Sequence, residues 1–173
     1  MKNILLVGAS SKSCLSFIKK YKHLYNFVRL SRDADHSDVN NFELLNIDSY
    51  YNEDVKFDGV VYFPGNINLK PFEKLEIKDF EQDFKINFLG LVSILKFYKS
   101  RLNLGASLVF ISTVATKIGM PFHSSVSAVK SSINGLTISL SAEWSPDIRV
   151  NCISPSLFES KMSEKFYKSE RMT

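Results

Sequence analysis

Short apolar runs alternate with helical patterns along nearly the whole chain of 173 residues. This alternation is typical of a parallel β-sheet whose two faces are both covered by helices. The runs at 60–63 and 108–112 are almost continuously apolar, as expected of strands that are buried on both sides. The sequence therefore predicts an α/β fold, in which a doubly wound parallel sheet of about six strands carries helices on both faces.

The same alternation gives approximate bounds for each element. We place strands at Asn3–Val7, Phe27–Leu30, Phe42–Ile47, Gly59–Phe63, Ser107–Ser112 and Arg149–Ser154. We place helices at about Lys12–Tyr21, Lys78–Arg101 and Ser124–Trp144, the last ending before Pro146, where helices commonly stop. Only a dozen polar residues separate the second and third strands, too few for a full crossover helix. Because no flexible linker interrupts the chain, residues 1–173 are predicted to form a single domain.

Composition excludes several classes of protein. Hydrophobic residues make up 45% of the chain and charged residues 23%, which is usual for a soluble domain. The net charge is +4, but the lysines are spread along the chain, so we expect no nucleic-acid surface. The chain has no stretch of about 18 apolar residues, so we predict no membrane span. Cys14 and Cys152 are isolated and have no metal-type spacing, so we predict a reduced cytoplasmic protein without a metal site.

A turn that contains glycine follows the first predicted strand and precedes the first predicted helix. The segment at 7–14 reads VGASSKSC. A glycine at Gly8 lets backbone N–H groups approach a pyrophosphate, and the N-terminus of the following helix favours its negative charge. Hydroxyl groups of Ser10 and Ser11 and the ammonium group of Lys12 are further candidate phosphate ligands.

The segment at 105–155 resembles the catalytic half of a short-chain dehydrogenase/reductase, with a strand, an active-site loop, a long helix and a further strand in order. The resemblance covers nearly the whole chain and implies a Rossmann-like fold. That family carries a Tyr-x-x-x-Lys pair on the long helix. Here the lysine is Lys130, but the tyrosine position is Val126, which has no proton to give.

The resemblance also implies roles for residues outside that pair. Asn87 matches an asparagine that anchors a water relay, and Thr113 matches the serine that orients the substrate carbonyl; Ser112 is the alternative if the register slips by one. Lys130 matches the lysine that holds the cofactor ribose. In related enoyl reductases the tyrosine lies seven residues before the lysine, where this chain has His123, a candidate substitute acid and otherwise a loop histidine.

The implied cofactor is a nicotinamide dinucleotide. Family positions for binding it fall at Asn46 and Ile47 beside the adenine, at Gly65 in the turn after the fourth predicted strand, and at Ser160 near the nicotinamide amide. Arg32 follows the second strand where NAD-binding members carry an acidic residue, which favours NADP(H) over NAD(H), although an exposed loop arginine explains it equally well. Lys12 and Cys14 stand where the family has glycines, which argues against retained binding.

Two functions remain open at this point. The first is an NADP(H)-linked oxidoreductase with an altered active site, which reduces or oxidises a carbonyl/alcohol or enoyl group of a small molecule. The alternative is a non-catalytic relative that serves as a nucleotide-binding or protein-interaction module. Under either function we expect a homodimer or homotetramer, because the second long helix carries small residues at four-residue spacing that allow close helix contact. These residues are Ser127, Ser131, Gly135 and Ser139. Family members continue beyond this chain's end, so we expect the usual C-terminal strand to be lacking.

Overall fold

The computed structural model describes residues 1–158. Five parallel strands form one sheet in the order β2-β1-β3-β4-β5. The strands are β1 (Lys2–Val7), β2 (Tyr25–Leu30), β3 (Phe57–Tyr62), β4 (Leu102–Ile111) and β5 (Arg149–Ile153). The α-helices are α1 (Lys12–Tyr21), α2 (Ile77–Phe84), α3 (Gly90–Tyr98) and α4 (Ser124–Glu143). This architecture confirms the predicted doubly wound parallel sheet, with five strands where about six were expected.

The predicted strand at Phe42–Ile47 is wrong. This segment forms turns that lead into a short 3₁₀ helix at Ile47–Ser49. Its polar groups are satisfied locally, since the Ser49 hydroxyl accepts from the Glu43 N–H and donates to backbone carbonyls of the same segment. Phe42 and Tyr50 pack into the core as an aromatic pair, while Ile47 is exposed. Phe42, one of the apolar residues that indicated a strand, therefore anchors a turn to the core.

The sheet separates two apolar clusters, because successive strand residues point to opposite faces. Leu5 and Val7 of β1 belong to the larger cluster, which also contains residues of α3 and α4. Leu6 belongs to the smaller cluster, which includes Cys14 and the partly buried residues Phe17 and Ile18 of α1. Helices thus pack on both faces of the sheet, as predicted.

The helix predicted at about Lys78–Arg101 is confirmed as a nearly continuous element with an irregular middle. A capping box formed by Glu76 and Asp79 begins α2. Five residues, Lys85–Leu89, then form a π-helical turn before α3 continues the element. Single π-helical turns inside helices are rare and often mark functional sites. Asn87, one of the predicted site residues, lies in this turn.

The strand order reverses direction between β1 and β3, which creates a crevice at their carboxyl ends. In open α/β sheets, ligands bind in such a crevice. Gly8 directly follows β1, and the turn Phe63–Pro64–Gly65 directly follows β3. Within residues 1–158, no helix has both the length and the apolar character needed to cross a membrane.

Candidate active site

The glycine turn, residues 8–14, occupies one side of the crevice. Gly8 has a φ of 78°, a left-handed conformation that side chains rarely adopt. A Cβ atom there would lie 3.0 Å from the Pro64 backbone nitrogen. The N–H groups of Gly8 and Ala9 both donate to the Leu30 carbonyl at the end of β2. The turn therefore depends on glycine at this first position for its own folding.

The remaining side chains of the glycine turn also contribute to local structure. The Ser11 hydroxyl accepts from the Cys14 N–H and caps α1, whose first residue is Lys12. Cys14 stands where the family has its third glycine, and its thiol is fully buried in the small cluster between α1 and β1. Burial raises the pKa of the Cys14 thiol to about 12. Ser10 is exposed at the tip of the turn.

The predicted adenosine-side residues lie apart from regular structure. Arg32 is exposed just beyond β2. Asn46 accepts from the Asp48 N–H through its side chain and thereby begins the short 3₁₀ helix, and Ile47 is exposed beside it. The predicted contact Ser160 lies outside the described residues.

Gly65 brings two predicted catalytic residues together. The point where a Gly65 Cβ atom would be lies 3.0 Å from Asn87 Oδ1 and 3.3 Å from Lys130 Nζ. Glycine here therefore lets the backbone pass close to an amide oxygen and an ammonium group, at a place where a methyl group would be crowded. Asn87 is fully buried, and its Oδ1 has no hydrogen-bond partner among the described residues. Buried polar atoms are nearly always paired, so this oxygen marks a place for a further donor.

Lys130 projects from α4 towards Gly65. Its Nζ donates to the Ile111 carbonyl at the end of β4, at 2.8 Å, and an ammonium group has two further donors. Burial lowers the pKa of Lys130 to about 8, although charges on Cys152 and Asp83 act in the opposite direction. An amine with a pKa in this range can exchange a proton near neutral pH.

The hydroxyl positions at the end of β4 separate into two roles. Ser112 is buried and donates to the Lys130 backbone carbonyl, so it joins the strand to α4. Thr113 is half-buried and accepts from the Ala115 N–H, while its own O–H is still able to donate. Val126, one helical turn before Lys130, is buried and adds an apolar surface on this side of α4.

His123 lies where the active-site loop enters α4. Its Nδ1 is 2.7 Å from the Pro121 carbonyl, and this contact requires Nδ1 to carry the hydrogen. Nε2 is then the nitrogen that can accept a proton. The side chain is half-buried, and its hydrogen bond ties it to the loop rather than to the residues beside Gly65.

The structure adds a group of polar residues that the sequence analysis missed. We call it the carboxylate network; its members are Asp83, Asn66, Asn68, Ser125 and Asn87. It joins α2, the turn after β3 and the start of α4. One signal in the sequence was available, because Asp83 precedes Asn87 by four residues and such residues share a helix face.

The residues present fit a dinucleotide. Gly8 and Gly65 lie at the carboxyl ends of β1 and β3, where a side chain would be crowded and only backbone lines the crevice, and α1 begins directly after the glycine turn. The orphaned Asn87 oxygen and the remaining Lys130 donors offer hydrogen bonds beside Gly65. Cys14 packs into the core without displacing α1 from β1. Among residues 1–158, no group of three His, Cys, Asp or Glu side chains is placed to hold a metal ion.

The curated proteins that are similar to this chain include two reductases. A hydroxynaphthalene reductase of Aspergillus fumigatus is 28% identical over 122 residues, which is 68% of this chain and 45% of the relative. A tropinone reductase homolog of Arabidopsis thaliana is 32% identical over 109 residues, covering 58% of this chain and 34% of the relative. The chain thus spans between a third and a half of the length of these relatives.

Solved structures share the fold across the chain. The protein lin1944 from Listeria innocua has a TM-score of 0.84 at 21% identity, covering 99% of this chain and 84% of that one. A small-chain dehydrogenase in complex with NADPH has a TM-score of 0.80 at 20% identity, covering 94% and 74%. 4-Hydroxyisoleucine dehydrogenase complexed with NADH has a TM-score of 0.83 at 19% identity, covering 99% and 80%.

A family model, described as enoyl-(acyl carrier protein) reductase, matches residues 34–173, which is most of the chain. The match includes the long helices and the segment that holds Asn87 and Lys130. It contains Gly65, and it begins after β1 and the glycine turn. The chain therefore belongs to the short-chain dehydrogenase/reductase superfamily of oxidoreductases.

Proposed function

We propose that this protein is an NADP(H)-linked oxidoreductase that acts on a carbonyl/alcohol or enoyl group of a small molecule. The observation that carries the proposal is that Lys130 Nζ and the unpaired Asn87 Oδ1 both lie beside Gly65, at the carboxyl end of β3. The names of the relatives, hydroxynaphthalene reductase and tropinone reductase, support a carbonyl substrate. The name of the matching family model supports an enoyl substrate.

The residues divide between cofactor binding and chemistry. When bound, the nicotinamide cofactor supplies or accepts a hydride. Gly8, Ser10 and Ser11 receive the pyrophosphate at the start of α1, and Lys130 donates to the ribose. Lys12 and Arg32 favour a 2′-phosphate through their positive charge, which is the basis for preferring NADP(H).

The proton needs a source other than Val126. We propose Lys130 as the general acid, because burial brings its pKa to about 8 and places proton exchange near the working pH. The Thr113 hydroxyl donates to the substrate oxygen and holds it in place. His123, through Nε2, is the second candidate for the acid, since its loop lies at the start of the same helix.

Cofactor titration tests the first part of the proposal. The purified protein is titrated with NADPH and with NADH, and binding is followed by fluorescence or by heat. We expect micromolar binding with a preference for NADPH, and Arg32→Ala is expected to remove that preference by weakening NADPH alone. Arg149→Ala, at the opposite end of the sheet, is the matched control. If neither cofactor binds at millimolar concentration, the oxidoreductase proposal is wrong and a non-catalytic interaction module takes its place.

Turnover tests the second part. Two probes separate the substrate classes, 9,10-phenanthrenequinone for carbonyl reduction and crotonyl-CoA for enoyl reduction. Lys130→Met is expected to lower turnover by about 10²–10⁴-fold, the usual contribution of a positioned acid. His123→Ala is expected to change it less than about threefold. If His123→Ala loses most of its turnover and Lys130→Met keeps it, then His123 is the general acid and Lys130 is not.

We also propose that α4 forms a contact between two copies of the chain. Ser131, Gly135 and Ser139 are exposed on the outer face of α4, and Ile138 beside them is 72% exposed. A Cβ atom at Gly135 would meet no neighbour within 4 Å, so a second helix has room to approach closely. Sedimentation equilibrium is expected to show a dimer or tetramer that Gly135→Arg dissociates; a monomeric parent protein would remove this proposal.

A further inference from the structure

Asp83 is a fully buried carboxylate, and among residues 1–158 no basic side chain is bonded to it. Its Oδ1 accepts from the side-chain amides of Asn66 at 2.6 Å and Asn68 at 2.9 Å. Its Oδ2 accepts from the Ser125 hydroxyl at 2.5 Å. Burying a carboxylate is costly unless hydrogen bonds or opposite charge compensate it. Three neutral donors satisfy both oxygens and leave the negative charge available to act at longer range.

These hydrogen bonds fix the orientation of the Asn87 side chain. The Asn87 Nδ2 group donates to the Asp83 carbonyl and to Asn66 Oδ1, both at 2.8 Å. A flipped amide would place an oxygen against two acceptors, so Oδ1 has to point towards Gly65. Asn66 is oriented in turn, because its own amide nitrogen is held by the Asp83 carboxylate. Asp83 therefore directs the unpaired Asn87 oxygen towards Gly65, which Lys130 also faces.

The charge of Asp83 also acts on Lys130. Among the groups around Lys130, Cys152 on β5 and Asp83 on α2 are the ones whose negative charge favours the ammonium form. Burial raises the pKa of the Cys152 thiol, so this group is largely uncharged near neutral pH. Burial also raises the pKa of Asp83, the hydrogen bonds from Ser125, Asn68 and Asn66 lower it, and the charge of Asp79 raises it. Asp83 is therefore the carboxylate whose negative charge favours the ammonium form of Lys130.

We propose that Asp83 is the positioning residue of this site, which aligns Asn87 and supplies the negative charge that keeps Lys130 protonated. The catalytic meaning of this role rests on the proposed oxidoreductase function. Its electrostatic part concerns the protein alone and is tested without cofactor or substrate.

Asp83→Asn separates the charge from the hydrogen bonds. An amide at this position can still accept from Asn66 and Asn68, and it can donate to Ser125, whose hydroxyl also accepts. The Lys130 ammonium is titrated by NMR through its Cε and Nζ signals in the cofactor-free protein. We expect the midpoint to fall from about 8 by about one unit, the low end of the effect of an adjacent opposite charge.

Glu81→Gln is the matched control, because Glu81 is exposed on the same helix and the variant loses the same charge. It is expected to leave the Lys130 midpoint unchanged. An unchanged midpoint in Asp83→Asn, or an equal shift in both variants, would overturn the proposal.

The parent protein provides a second test that does not depend on a folded variant. The Asp83 carboxyl carbon is followed by NMR through the titration of Lys130. If the two charges face each other, this signal shows a second step at the Lys130 midpoint. A flat Asp83 signal across that midpoint would refute the counter-charge role by itself.

Turnover then distinguishes positioning from mere structural support. With NADPH and 9,10-phenanthrenequinone, the rate is expected to fall as pH rises through the Lys130 pKa, and Asp83→Asn is expected to move this fall to lower pH by the shift that NMR measures. A purely structural role would lower the rate equally at every pH. If the parent protein binds no NADPH, the proposed function fails, and the NMR titrations still decide the role of Asp83.

Discussion

The glycine turn after β1 and the carboxylate network between α2 and α4 use their polar groups in opposite ways. In the turn, the N–H groups of Gly8 and Ala9 bind the Leu30 carbonyl, and the Ser11 hydroxyl caps α1. In the network, five polar side chains meet, three of them fully buried, and Asn87 Oδ1 has no partner among the described residues. The turn completes its own hydrogen bonds, whereas the network leaves one acceptor unmatched beside a buried lysine.

This difference separates the contribution of a motif to the stability of the fold from its contribution to ligand binding. A buried acceptor without a partner lowers the stability of the folded protein, so its presence in a well-packed region indicates a ligand or a water. Satisfied hydrogen bonds in a turn stabilise the fold whether or not a ligand binds. The glycine turn is therefore expected to show its importance first in stability, and the network first in binding and proton transfer.

Gly8→Ala is expected to give the largest effect on stability. The residue has a φ of 78°, and a Cβ atom would lie 3.0 Å from the backbone of Pro64, which cannot move aside freely. Left-handed backbone costs about 1–2 kcal/mol for a residue with a side chain, and the close contact adds to this, so a loss of about 3 kcal/mol is expected. Urea denaturation measures it. A variant as stable as the parent, but with lost NADPH affinity, would show that the turn serves binding alone.

Much of the fold follows from short-range patterns in the sequence. The strands β1, β2, β3 and β5 and the helix α4 lie within two residues of their predicted bounds, because buried strands and long helices have clear patterns. The strand β4 begins five residues before its predicted start, at Leu102. The segment at Phe42–Ile47 misled the prediction because four of its six residues are apolar, as in a short buried strand. Phe42 packs against Tyr50 and the larger apolar cluster, and local periodicity does not show such tertiary contacts.

The candidate site shows a similar limit. Asn87 and Lys130 were found through family resemblance, and the structure places both beside Gly65. Asp83 was missed because an aspartate among the Glu, Asp and Lys residues of a helix has the pattern of a solvated surface. Its burial depends on Ser125, which is 42 residues away in the sequence. Only the packing of α2 against α4 brings the two side chains together.

Lys130→Met tests whether the buried lysine beside the carboxylate network lowers the free energy of unfolding. The folded protein binds the Lys130 proton less tightly than the unfolded chain, with a pKa of about 8 against 10.5. The unfolded state therefore binds more protons between these values, and the stability of the parent protein rises with pH across that window. From about pH 7.5 to 9.5, the parent is expected to gain about 2 kcal/mol relative to Lys130→Met.

Urea denaturation of both proteins at the two pH values gives this difference directly. Lys96→Met, at an exposed position of α3, is the control and is expected to show no such gain. A parent protein whose advantage over Lys130→Met does not change with pH would mean that Lys130 is hydrated in the folded state. The network would then lack the low-dielectric environment on which its proposed function depends.

Gly65→Ala gives the smallest expected effect and compares most directly with Gly8→Ala. Its Cβ would lie 3.0 Å from Asn87 Oδ1 and 3.3 Å from Lys130 Nζ, both atoms of side chains that can shift slightly. Stability is expected to change by less than about 1 kcal/mol, while the methyl group displaces the two atoms that are proposed to bind the cofactor and weakens NADPH binding by about tenfold. Gly119→Ala, where a Cβ meets nothing within 4 Å, is the control for stability. If Gly65→Ala lost stability without losing affinity, the two glycines would have the same role, and the contrast between the turn and the network would disappear.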